Sequence, residues 1–185
     1  MRGARLLAVL AVAAAALAAG CEPAVPKEAE GRQVVRPHLR FAIDVPQGWT
    51  FRDLYGDVVV EMVPRGTEAA GAKGPARRTQ PVVDVVAVDS SGRTLDQWAD
   101  EAVKESQELQ SDLEVTLRET VRMADGRPAL RVTLKNPRGI QPFIQQMLLV
   151  MTDRRAYGVL ATAPESDLAA AEAAVGTCFG SLVVW

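Results

Sequence analysis

The stretch PVVDVVAVDSSGRTLDQWADEAVKESQEL, residues 81–109, changes its hydrophobic period halfway along, and that change decides the fold. From Val82 to Val88 apolar side chains occupy both odd and even positions, the pattern of a central strand covered on its two faces. A helix must supply one of those covers. Thr94-Leu-Asp-Gln97 has the form of a capping box, in which a threonine hydroxyl and a glutamine three residues on satisfy each other's backbone N–H groups. Leu95, Trp98, Ala99, Ala102, Val103 and Leu109 then recur at helical spacing, with Asp96, Asp100, Glu101, Lys104, Glu105 and Glu108 off the stripe. Trp98 is expected to anchor the core and not to stack on a ligand.

Working outward, the preceding segments read as strands. Phe41, Ile43 and Val45 alternate with Ala42 and Asp44 until Pro46-Gln-Gly48 turns the chain, Trp49 and Phe51 open a second short strand, and Val58 to Val63 a third. Downstream come four strands in meander order. Val115, Leu117, Val121 and Met123 alternate with polar residues, Asp125-Gly126 marks a hairpin, and Leu130, Val132 and Leu134 face inward while Arg131, Thr133 and Lys135 face water. Met147 to Met151 is apolar on both faces, and Tyr157, Val159 and Ala161 follow. Beyond Pro164, Ser166 or Asp167 can cap a second helix bearing Leu168, Ala171, Val175 and Phe179. This order predicts an α+β sandwich: an antiparallel β-sheet flanked by a helix on each face.

With 185 residues, 48% apolar and 24% charged, the chain suits one folded domain. Its formal net charge of −2 lacks the basic footprint of a nucleic-acid binder.

The first twenty residues follow other rules. Arg2 and Arg5 precede an uninterrupted apolar run from Leu6 to Ala19. At about 1.5 Å per residue the run spans roughly 21 Å, short of the ~30 Å hydrocarbon core of a bilayer, so an export signal is expected. The run ends Leu17-Ala-Ala-Gly-Cys21, which resembles the lipobox of bacterial lipoproteins, although Ala18 stands where leucine is commonest. The resemblance implies cleavage after Gly20, a diacylglyceryl thioether on Cys21, and Cys21 as the mature N-terminus. The alternative is an unmodified Cys21 in a simple secretory signal or an uncleaved anchor. Two acyl chains on one sulfur make a stable anchor and would hold the protein on the extracytoplasmic face of the cell membrane. Removing residues 1–20 takes Arg2 and Arg5 from the 21 basic side chains and none from the 23 acidic ones, leaving a formal −4. Electrostatic capture by anionic lipid is therefore not expected of the protein as a whole.

Residues 21–38 mix Pro, Glu, Gly and Lys without a period and are expected to form a tether, with the folded domain running from Leu39 to Trp185. His38, the chain's single histidine, is expected to be a solvated surface residue. Residues 65–80, RGTEAAGAKGPARRTQ, have no apolar repeat. Disorder is the plainer reading of this loop; in the functional reading, Arg65, Lys73, Arg77 and Arg78 bind an acidic partner or headgroup phosphates. Cys178, in an apolar context, reads as a small buried hydrophobe, since a thioether at Cys21 leaves it no internal partner. Val183 and Trp185 read as a chain end packed on the core or an edge for dimer pairing.

Five segments together resemble a known family: FAIDVPQGW, TLDQWADEAV, ADGRPALRV, QQMLLVMTDRRAYGVLATAP and FGSLVVW. They are similar to the PsbP/DcrB-like fold, and in particular to small lipoproteins of the LpqN type. The resemblance implies that fold, a place in the cell envelope and an accessory or binding role. It transfers no active-site residue.

The residues themselves carry no catalytic signature. There is no G-x-S-x-G, no P-loop and no dinucleotide glycine motif, no histidine base inside the domain for a serine nucleophile, and no Cys/His cluster for zinc. Acid pairs such as Asp100-Glu101 read as a solvated helix surface. No metal and no cofactor are expected. The expected function is a non-enzymatic binding or accessory role whose partner is the membrane and an envelope protein or lipid. Two alternatives stand beside it: a lipid or glycolipid carrier with a pocket between sheet and helix, and a hydrolase with an unrecognised carboxylate site.

Overall fold

The apolar alternations at Phe41, Trp49, Val58, Val82, Val115, Leu130, Met147 and Tyr157 all become strands, but they divide between two sheets instead of joining one. The computed structural model describes residues 33–67, 80–136 and 142–185. In chain order its elements are β1 (Gln33–Arg36), a 3-10 turn (Pro37–Leu39), β2 (Phe41–Asp44), β3 (Trp49–Asp53), β4 (Val58–Pro64), β5 (Val82–Asp89), α1 (Leu95–Leu109), β6 (Glu114–Arg122), β7 (Pro128–Asn136), β8 (Phe143–Met151), β9 (Arg155–Pro164), a second 3-10 turn (Glu165–Asp167), α2 (Leu168–Ser181) and β10 (Val183–Val184).

The large sheet has seven strands in the order β3-β4-β5-β9-β8-β7-β6, each pair antiparallel. The meander from β6 to β9 is the one expected, and β5 lies in the interior as its two-sided apolar run requires. A smaller sheet, β1-β2-β10, draws together residues near both ends of the chain. Single-sheet alternation at Phe41 and Ile43 could not have shown this division, because a strand's period says which residues are buried and not which neighbour it pairs with.

β1 lies inside the stretch expected to be tether, so among the described residues paired structure already starts at Gln33, ahead of Leu39. Its four residues carry one buried side chain, Val34, before Pro37 stops the ladder. A strand that short leaves almost no periodic signal. Arg36 then forms an ion pair with Asp53 of β3, linking the two sheets.

Successive residues of the central strands join different cores, as the two-residue repeat of a strand demands. Leu148, Val150, Tyr157 and Val159 pack in a cluster with Phe41 and Ile43 of the small sheet and with Ala174, Val175 and Cys178 of α2. Met147, Leu149 and Ala156 pack instead with Trp98, Ala99 and Ala102 of α1. The described residues are thus α+β, mostly antiparallel sheet with two helices.

α1 starts where its sequence signals. The Thr94 hydroxyl accepts from the Gln97 N–H, the Gln97 side chain accepts from the Thr94 N–H, and Trp98, Ala99, Ala102 and Ser106 form the buried stripe. Leu109 does not join it. It is the last helical residue and 84% exposed, and Ser106 takes the place on the stripe, its hydroxyl satisfied by the Ala102 carbonyl at 2.9 Å.

A further correction concerns β6. A bulge between Val115 and Leu117 puts these two residues on different faces, and both stay exposed on what is the edge strand of the sheet. β7 departs from expectation in the opposite sense: Thr133 is buried although it sits on the face expected to be wet. α2 buries Ala171, Ala174, Val175 and Cys178, with Phe179 half-buried. Asp167 occupies its N-cap without a side-chain hydrogen bond, the 3-10 turn leading into the helix instead.

Candidate functional site

Cys21 and Gly20, with the rest of the expected signal, lie outside the described residues, as do Lys73, Arg77 and Arg78. Of the four basic loop residues only Arg65 is described. It follows β4 on the surface, and its N–H donates to the Gly48 carbonyl at 3.0 Å, which closes the end of the β3-β4 hairpin. His38 is exposed in the first 3-10 turn. No helix among the described residues is long and apolar enough to cross a membrane.

Cys178 is fully buried in α2, and its thiol meets the Asp44 carbonyl at 3.7 Å and the Met62 sulfur at 3.9 Å. Burial, with a smaller push from the Asp44 carboxylate, raises its pKa to about 12. At neutral pH such a group is a neutral thiol, and nucleophilic chemistry needs the thiolate.

The carboxylates of α1 do not converge. Asp96 and Asp100 both reach Arg118 of β6, at 3.1 Å and 2.5 Å, and so hold the helix to the edge strand. Hydrogen bonding to Asp100 is the main cause that raises the Arg118 pKa. Glu101 pairs with Arg93 at 2.6 Å, and the Arg93 guanidinium lies 5.2 Å from the Trp98 ring centroid.

Cross-strand register assembles one ionic group that sequence reading missed. Arg52, Glu61 and Asp84 are register partners across β3, β4 and β5, so their side chains leave the same face of the sheet. Glu61 is only 4% exposed and its carboxylate meets the Arg52 guanidinium at 2.5 Å. Among the described residues no group of three His, Cys, Asp or Glu side chains is arranged to hold a metal ion.

A small cavity beside α2, bordered by Ile144, Gln146, Ala163 and Val175, has a volume of about 10 Å³. That is room for about one water molecule and not for an acyl chain. Beside it the buried side-chain oxygen of Gln146 has no hydrogen-bond partner among the described residues.

The outer face of the small sheet has a different character. Val35 of β1 and Val183 of β10 both pair with Ala42 of β2 and are 43% and 51% exposed. Trp185 continues this edge, its N–H donating to the Arg40 carbonyl at 3.1 Å, and is 48% exposed. Val184 and Leu182 point the other way and are buried. Packing of the chain end on the core thus holds for Leu182 and Val184 and not for Val183 and Trp185, the two residues expected there, which face outward.

No protein-family profile and no curated protein matches the chain. Solved structures do. The cyanobacterial PsbP (CyanoP) of Synechocystis superposes with a TM-score of 0.60 at 14% identity, covering 91% of this chain and 99% of that one. LpqN of Mycobacterium tuberculosis, described as involved in cell envelope biogenesis, gives 0.57 at 9% identity over 86% and 89%. A mutant of the protein Mog1 gives 0.58 at 13% identity over 84% and 96%. At these identities the likeness concerns the fold.

Proposed function

We propose that this chain, whose fold is PsbP/LpqN-like, is a lipoprotein anchored on the extracytoplasmic face of the cell membrane, with a non-enzymatic binding or accessory role in the envelope. The observation that carries the reading is the sequence Leu17-Ala-Ala-Gly-Cys21 at the end of a basic and then apolar leader. The same fold in LpqN, a protein of cell envelope biogenesis, supports it. The scaffold we infer is a sandwich in which α1 and α2 close opposite faces of the large sheet, a reading supported by the alternation of Met147 and Leu149 with Leu148 and Val150 between the two cores. Such a body presents surfaces to partners. The basic segment that contains Arg65, Lys73, Arg77 and Arg78 is the partner surface we favour. The small cavity bordered by Ile144, Gln146, Ala163 and Val175, at about 10 Å³, offers a lipid-carrier role no support.

The test is the fate of Cys21. The parent is expected in the membrane fraction with a diacylglyceryl mass on an N-terminal cysteine, and Cys21→Ser is expected to lose both that mass and tight membrane association. A Cys21→Ser protein held as firmly as the parent, with no acyl mass on the parent, refutes the reading. In-cell crosslinking with the four basic residues changed to Ala then tests the partner surface, through loss of the captured product.

A further inference from the structure

We propose that the outer face of the small sheet is a bilayer-contact surface that fixes how the folded body sits on the membrane. Val35, Ala42 and Val183 form one cross-strand row, and Trp185 continues it. Adjacent Cβ atoms in such a row lie about 5 Å apart, so the two exposed valines flank the buried Ala42 on one face, with the indole beside Val183. An exposed tryptophan beside aliphatic side chains suits the level of the lipid headgroups, where an amphipathic ring is wetted at one end only. His38 and Arg40 are exposed at the Trp185 end of the row, positioned for headgroup phosphates. At the other end Gln33 donates to Asp44 at 3.2 Å, which partly occupies that carboxylate.

Chain connectivity argues for this occupant, and here the inference rests on the lipoprotein reading. β1, one strand of the row, is separated from Cys21 by residues 22–32. Fully extended, that connection reaches about 40 Å at most. A lipid on Cys21 therefore keeps this sheet close to the bilayer at high effective concentration. Two acyl chains already supply the affinity, so the row decides orientation.

The full chain, purified from membranes, is reconstituted into phosphatidylethanolamine–phosphatidylglycerol vesicles with and without brominated phosphatidylcholine, and tryptophan emission is recorded. Trp49 and Trp98 are 7% and 6% exposed, so contact quenching by the lipid reports on Trp185. Brominated lipid is expected to remove most of the Trp185 emission, and Trp185→Phe is expected to remove the quenchable component. Val35→Asp and Val183→Asp, at exposed positions, are expected to weaken quenching with the urea midpoint little changed. Emission from the vesicle-bound parent that brominated lipid leaves unaltered overturns the inference, whether Trp185 is then in water or against a second copy. Mass measurement at Cys21 on the same sample reports the anchor separately: acyl mass without quenching rejects this surface alone, and quenching without acyl mass supports the surface and rejects the anchor.

Discussion

The hydroxyl of Tyr157 donates to the carbonyl of Leu39 at 2.8 Å, bridging 118 residues and fastening the large sheet to the turn of the small one. The Tyr157 ring is fully buried and meets Phe41 edge-on, with centroids 6.3 Å apart. Tyr157→Phe keeps the ring and removes the donor. The expected cost is about 1 kcal/mol, the net worth of a typical intramolecular hydrogen bond. In urea titrations the midpoint should fall with an unchanged slope.

Cys178 should make the protein sensitive to alkali. Its pKa in the fold, about 12, lies above the ordinary value of 9, so the unfolded chain releases the proton first. The stabilisation is complete below pH 9 and is lost as pH rises toward 12, at about 1.4 kcal/mol per pH unit within that window. Cys178→Ala is expected to flatten the decline of stability over this range, at the expense of a lower stability at neutral pH. Part of the slope remains from Tyr157, whose pKa burial also raises. Denaturant midpoints of both proteins at matched pH values check this.

The capping box of α1 offers a measurement of coupling. Thr94→Ala should cost about 1 kcal/mol. Gln97→Ala should cost less. Because the two side chains satisfy each other's backbone groups, the double variant should lose less than the two single losses combined. Thermal unfolding of the three variants reads the coupling directly.

Arg118 joins the edge strand to α1 through Asp96 and Asp100, but all three side chains are substantially exposed. Arg118→Ala is accordingly expected to cost no more than about 1 kcal/mol, most of it screened at high salt. The diagnostic is a difference in melting temperature between parent and variant that shrinks as salt is added.

Particular residues show what the sequence could and could not disclose. The interior strand at Val82–Val88 and the helix at Thr94 were legible because their signals are local: a two-sided apolar run and a reciprocal cap. The β6–β9 meander was legible for the same reason, each hairpin carrying its own turn. The small sheet was not legible, since β1 and β10 hold four and two residues and the pairing of β10 with β2 spans most of the chain. Arg52, Glu61 and Asp84 meet only through register, which no single strand encodes. The exposure of Val35, Val183 and Trp185 depends in turn on where that sheet lies. The resemblance carried by the strand and helix segments correctly indicated a PsbP/LpqN-like fold, because such segments record packing even where no catalytic residue exists to be recognised.

The pairing of β1 with β2 also has a mechanical side. Gln33 and Asp44 form the first rung of the ladder, and the 3-10 turn closes the far end. A tug on the backbone ahead of Gln33, directed away from the body, loads that rung first. The next residue, Val34, is buried in the core that both sheets share, so the load passes to that core after a single rung and β1 acts as a strain relay into the body.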